Sequence, residues 1–108
     1  MEFQEIIQKA LDLREKYAEL EKKMYGEEWS REEIALGFVG DVGELMEYVV
    51  ANEGKRDREN KGEKLAHELS DCLWSILILA DKYNIGLEKA FNDNMAILEK
   101  DIEKKLKE

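Results

Sequence analysis

The chain has no proline and no threonine, a single cysteine, Cys72, and a single histidine, His67. Without proline no helix is broken by a missing N–H, and with Ile and Val as the only β-branched residues the composition favours helix throughout. One cysteine excludes an intrachain disulfide, and the start MEFQEIIQKA lacks a basic-then-apolar leader pattern, so the cytoplasm is the expected compartment. Long hydrophobic runs are missing too. The longest, residues 72–80, contains Ser75 and lies between Asp71 and Asp81, far short of the ~20 residues that span a bilayer. Positive charge is scarce: seventeen Lys and Arg face twenty-six Asp and Glu. The net charge of −9 excludes a protein that coats nucleic acid by neutralising its phosphates.

What is present suffices for one core. At 108 residues the expectation is a single domain, 1–108, and a hydrophobic share of 44% beside 40% charged residues sets it apart from a disordered chain. Phe3, Ile6, Ile7, Ala10, Leu13, Tyr17, Leu20 and Met24 recur three or four apart and predict an amphipathic helix over residues 2–24. Ser30 followed by Glu33 is a capping-box pattern, with Trp29 and Ile34 placed as a hydrophobic staple, so a second helix is predicted from Ser30 to about Glu53, stopped by Gly54. A third is predicted from residues 60–64 to Tyr83. After Asn84-Ile85-Gly86, a fourth carries Leu87, Ala90, Phe91, Met95, Leu98, Ile102 and Leu106.

The second and third helices are apolar nearly all round, which predicts inner positions in a four-helix bundle. Their polar exceptions are few and aligned. Asp41, Glu44 and Glu47 lie three apart beside Gly37 and Gly40, and Lys64, His67, Glu68, Asp71, Ser75 and Lys82 share about 100° of arc on the third helix. Antiparallel packing would bring Asp41, Glu44, Glu68 and Asp71 together. At about 6 Å and an effective dielectric near 20 each ionised pair costs roughly 2–3 kcal/mol, against a net domain stability of about 5–15 kcal/mol. The acids must therefore be protonated, separated by water and basic partners, or neutralised by cations. Oxygen ligands at i, i+3 on two helices suit a hard divalent ion such as Mg²⁺ or Mn²⁺.

The pattern Asp41-Val42-Gly43-Glu44, 23 intervening residues, then Glu68-Leu69-Ser70-Asp71 resembles the MazG-like all-α nucleoside triphosphate pyrophosphohydrolases, whose signature is E-x-x-E followed by E-x-x-D on the next helix. The flanking stretches GFVGDVGELMEYV and KLAHELSDCLWSILILADKYNIGLEKAF look like that family as well, over roughly residues 30–98. The resemblance implies Mg²⁺-dependent cleavage of an NTP or dNTP between the α- and β-phosphates, giving monophosphate and pyrophosphate. It makes Asp41, Glu44, Glu68 and Asp71 the metal ligands, with Glu44 or Glu47 as the group that takes the proton of the attacking water. Asp41 and Gly40 stand where the family usually has glutamates. Asn94 is retained from a segment that reads roughly N-M-x-K-L in many relatives, but Ile97 replaces its lysine. Phosphate contacts are accordingly expected from the cations Lys55, Arg56, Arg58 and Lys64, with Asn94.

Other residues have plainer readings. His67 is taken as hydrogen-bonded structure, Cys72 as a packed thiol and Trp74 as core. A di-iron carboxylate bundle would need a histidine on each of two helices and fails on His67 alone. A non-catalytic helical dimerisation module is the surviving alternative. Helices this apolar need more cover than two amphipathic neighbours supply, so a homodimer or homotetramer is expected, as in the family.

Overall fold

A computed structural model describes all 108 residues. It contains four helices and no strand: α1 (Phe3–Tyr25), α2 (Arg31–Asn52), α3 (Lys61–Lys82) and α4 (Leu87–Leu106). The expected boundaries hold to within a few residues because local signals fix them. Gly26 ends α1 at φ 87°, returning its N–H to the Lys22 carbonyl. That left-handed conformation is open to glycine at no steric cost. At the start of α2 the Glu33 N–H donates to Ser30 Oγ at 3.2 Å and the Ser30 N–H donates to Glu33 Oε1 at 3.0 Å, completing the capping box.

α2 and α3 run antiparallel and form the main interface, with α1 laid on α3. Both ends of the pair are tied. Arg31 at the start of α2 sits 4.5 Å over the Tyr83 ring past the end of α3, and Asn52 at the end of α2 donates to the carbonyl of Lys61 at the start of α3 at 2.9 Å. The core gathers Ala10, Ile34, Leu77 and Ile78, with Phe3, Ile6, Ile7, Leu11, Trp74, Leu79 and Leu87 packed around them. Trp74 is part of it, as expected, and its indole N–H donates to the Ala10 carbonyl at 3.0 Å.

Two expectations about buried faces need correction. Along α1 the first half buries Ala10 and half-buries Phe3, Ile6, Ile7 and Leu11, but from Leu13 onward the buried stripe is Arg14, Ala18 and Glu21, while Leu13, Tyr17, Leu20 and Met24 are exposed. An ion pair between Arg14 and Glu21 lets charged residues occupy that inner face, described below. The inner helices are also covered on one side only. In α2 just Ile34 and Ala51 are buried, whereas Leu36 and Val39 are 71% and 67% exposed, and Leu69, Leu73 and Ile76 of α3 are exposed as well. α4 explains this. It leaves the core after Leu87 and buries no residue in its own chain. The radius of gyration, 17.5 Å, accordingly exceeds the roughly 13 Å of a compact domain this long.

Candidate functional site

Antiparallel pairing of α2 and α3 brings the four acids together. One carboxylate oxygen each from Asp41, Glu44 and Glu68 lies within 4.8 Å of the others, and a second set of ligand atoms from His67, Glu68 and Asp71 is equally close. Glu68 belongs to both sets. It is 6% exposed, and its Oε2 is buried without a hydrogen-bond partner. Ser75 Oγ donates to Asp41 Oδ2 at 3.4 Å, and His67 Nε2 stands 3.1 Å from Asp71 Oδ2.

No lysine or arginine forms an ion pair with any of the four acids, and His67 is the one basic group within ion-pair distance of them. Burial pushes the Glu68 carboxyl above its ordinary range, the neighbouring charges of Glu44 and Asp71 add to the rise, His67 opposes it, and a side-chain hydrogen bond with Glu44 raises it further. Asp41 is raised by burial, then by Asp71 and Glu44, with Ser75 and His67 pulling the other way. The Cys72 thiol is buried as expected, and burial together with Asp41, Glu68 and Asp71 raises it. A buried carboxylate with an unpartnered oxygen, facing others of its kind, is the donor set that a divalent cation satisfies.

Beside the acids opens a cavity of about 420 Å³, with Asp41, His67, Asp71 and Ser75 on its wall. Tyr17, Trp29 and Trp74 supply aromatic surface, the Tyr17 and Trp74 rings standing 5.5 Å apart. Trp29, the expected staple residue, lies over Gly37: a methyl group there would come within 3.2 Å of its ring. Glycine at that position therefore lets the indole lie close against α2. At the far side Arg14 and Glu21 form a buried ion pair, and Glu21 Oε1 also accepts the Trp29 backbone N–H at 2.9 Å.

The remaining expected residues lie elsewhere. Glu47 is exposed one turn beyond Glu44. Lys55, Arg56, Arg58 and Lys64 are exposed, make no ion pair with the acids and do not line the cavity, and Lys64 stands 5.8 Å from the Tyr48 ring. Asn94 is exposed on α4. Sequence reasoning missed Arg14, Tyr17 and Glu21 as cavity residues. The available signal was the spacing Ala10, Arg14, Ala18, Glu21, a stripe on which small residues leave room for a buried pair.

The model of the MazG nucleotide pyrophosphohydrolase domain matches residues 30–105. The chain belongs to that family. No curated protein and no solved structure matches it. The MazG match opens at the α2 cap and takes in both acid pairs, while α1, which carries one wall of the cavity, lies outside it.

Proposed function

We propose that residues 1–108 form a single MazG domain that hydrolyses a nucleoside or deoxynucleoside triphosphate between its α- and β-phosphates, releasing monophosphate and pyrophosphate. The observation that carries this reading is the meeting of Asp41, Glu44, Glu68 and Asp71 beside an aromatic-walled cavity, with Glu68 Oε2 buried and unpartnered. Those four would hold Mg²⁺, or Mn²⁺ in its place, and when bound the ion supplies positive charge to the carboxylates and to the phosphate oxygens on which charge builds during displacement.

The chain's own residues do the rest. Tyr17, Trp29 and Trp74 offer π-faces for a base to stack on, which leaves the triphosphate running along the acid-lined seam toward the start of α3. Lys64, one turn before Glu68, together with Lys55, Arg56 and Arg58 of the preceding loop, neutralises the outer phosphates. Glu44, or Glu47 one turn on, accepts the proton of the attacking water. Asn94 contributes once α4 is assembled. The exposed apolar residues Leu36, Val39 and Met46 of α2 support a homodimer or homotetramer. No helix is long and apolar enough to cross a membrane, and a net charge of −9 fits a free cytoplasmic nucleotide better than nucleic acid as partner.

A panel of triphosphates incubated with Mg²⁺ and scored by product identity tests this. Monophosphate plus pyrophosphate is expected. Release of inorganic phosphate would move the protein to another reaction class, and no turnover with a melting temperature indifferent to Mg²⁺ would leave a non-catalytic dimerisation module.

A further inference from the structure

The far side of the cavity differs in chemistry from the side that carries the acids: there Arg14 and Glu21 of α1 stand among the rings of Tyr17, Trp29 and Trp74. We propose that Arg14 and Glu21 read the edge of the nucleobase. They select a base that presents one N–H donor beside one acceptor, with Arg14 Nε donating to the acceptor and Glu21 Oε2 accepting from the donor. This rests on the reading of the cavity as the place where the base stacks, and goes beyond it in naming the residues that choose among bases.

Two unused polar atoms carry it. Arg14 is 8% exposed, and its Nε is buried without a hydrogen-bond partner although Nη2 of the same guanidinium holds Glu21. A guanidinium can grip a carboxylate through two parallel N–H bonds. This one uses a single nitrogen and leaves a buried donor unpaired, a cost that an acceptor from outside removes. Glu21 makes both of its contacts, to Arg14 and to the Trp29 N–H, through Oε1. Oε2 is left over. On binding, the guanidinium turns about its one contact with Glu21 to present Nε to the base.

A few polar groups converging on an aromatic pocket are what orient a flat ligand. Stacking alone accepts every base, because every base has a π-face, whereas a pocket with buried hydrogen-bonding groups rejects a ligand that leaves them unpaired. Two base chemistries supply the required edge: a ring N–H beside a carbonyl, as in uracil and hypoxanthine, and an amino group beside a ring nitrogen, as in cytosine and adenine. α1 lies outside the residues 30–105 that match the family, so this readout is separate along the chain from the acids of α2 and α3.

Nucleosides carry the edge without the phosphates, so binding is measured on metal-free protein in chelator. Uridine, inosine, cytidine and adenosine are titrated into ¹⁵N-arginine-labelled protein, each beside its counterpart methylated on the donor nitrogen: 3-methyluridine, 1-methylinosine, N4,N4-dimethylcytidine and N6,N6-dimethyladenosine. The Arg14 Nε resonance is identified by its loss in Arg14→Lys. The expected result is a saturable shift of that resonance with uridine and inosine or with cytidine and adenosine, which tells the carbonyl edge from the amino edge. The methylated counterpart should bind about tenfold or more weakly. In Glu21→Gln the carboxamide oxygen keeps the Arg14 and Trp29 contacts and its NH₂ takes the place of Oε2, so the ratio of natural to methylated affinity should fall toward one. A purely structural pair would weaken both ligands alike. If that variant does not fold, the wild-type shift and ratio still decide. Tryptophan indole signals that move while Arg14 Nε stays still, equal affinity for natural and methylated nucleosides, or no binding by any of them overturns the proposal. A protein that reads nucleosides but releases no pyrophosphate would keep this site and lose the hydrolase, and one that hydrolyses natural and methylated triphosphates equally would do the reverse.

Discussion

Arg14 with Glu21 and Glu44 with Glu68 place charges close together on opposite terms. In the first, a guanidinium meets a carboxylate inside the protein, and the same carboxylate accepts the Trp29 N–H, so the charge has a partner of opposite sign although Arg14 Nε itself is buried without a hydrogen bond. In the second, carboxylates face one another, one of them buried with an orphaned oxygen. On the proposed reading, the acid that the fold neutralises is built as structure and the one it leaves without a cationic partner is built for an ion that arrives from outside. Burial alone does not distinguish them. What does is whether a partner of opposite sign is supplied.

Removing a carboxylate from the acid set gives the largest expected effect. Glu44→Gln or Asp71→Asn should lower metal-dependent pyrophosphate release by about 10²–10³-fold or more, a magnitude typical of removing one group that stabilises developing charge. The fold should persist, measured by circular dichroism. Full activity in both variants would break the assignment of these residues.

Breaking the answered pair should do the opposite. Arg14→Met leaves Glu21 buried and uncompensated, at a cost of about 3–5 kcal/mol in urea unfolding. Adding Glu21→Leu should recover much of it, because the stranded charge goes too. Recovery stays incomplete, since the Trp29 N–H then loses its acceptor.

The acid set should respond both to pH and to metal. Burial and like charge raise the Glu68 and Asp41 carboxyls in the folded state, so the fold binds their protons more tightly than the unfolded chain does. The contribution of these two groups to the stability of metal-free protein is therefore fully present below the ordinary carboxylate range and is lost as pH rises from that range through the raised values. Glu68→Gln should flatten that decline and stabilise the metal-free protein at neutral pH. Mg²⁺ at a hundred times its dissociation constant should restore about 2.7 kcal/mol to the wild type, and much less to Glu68→Gln. Thermal unfolding with and without chelator reads both.

Much of the fold was legible because its signals are local. The Ser30–Glu33 capping box, Gly26, Gly54 and the Asn84 turn mark where helices start and stop without reference to anything distant. The convergence of Asp41, Glu44, Glu68 and Asp71 was legible because two helices each carried an acid pair at one angular position, and only antiparallel pairing had to be assumed. The wall of the cavity was not. Arg14 and Glu21 look like ordinary solvent-facing charges on an amphipathic helix; Ala10 and Ala18 on their stripe leave room for them, but the tertiary placement of α1 against Trp29 and Trp74 is what buries them. The hydrophobicity of α2 was read as burial, but one chain covers only one side of it, because hydrophobic pattern states which face seeks cover and not which molecule provides it.

The smallest effect tests whether the two regions are independent. Ser30→Ala removes the hydroxyl that accepts the Glu33 N–H and should cost about 1 kcal/mol, lowering the melting temperature by about 4–8 °C. Ser30 adjoins Trp29, whose N–H is held by Glu21, so the substitution loosens the structural end of α2. Asp41 and Glu44 lie three to four turns further along the same helix and are fixed by their pairing with α3. If the answered and unanswered charges are separate devices, Mg²⁺ affinity in Ser30→Ala, measured at a temperature where the variant is fully folded, stays within twofold of the wild type. A parallel loss of affinity would mean that the cap sets the register of α2 against α3, and that the carboxylates depend on the Glu21 end of the molecule for their alignment.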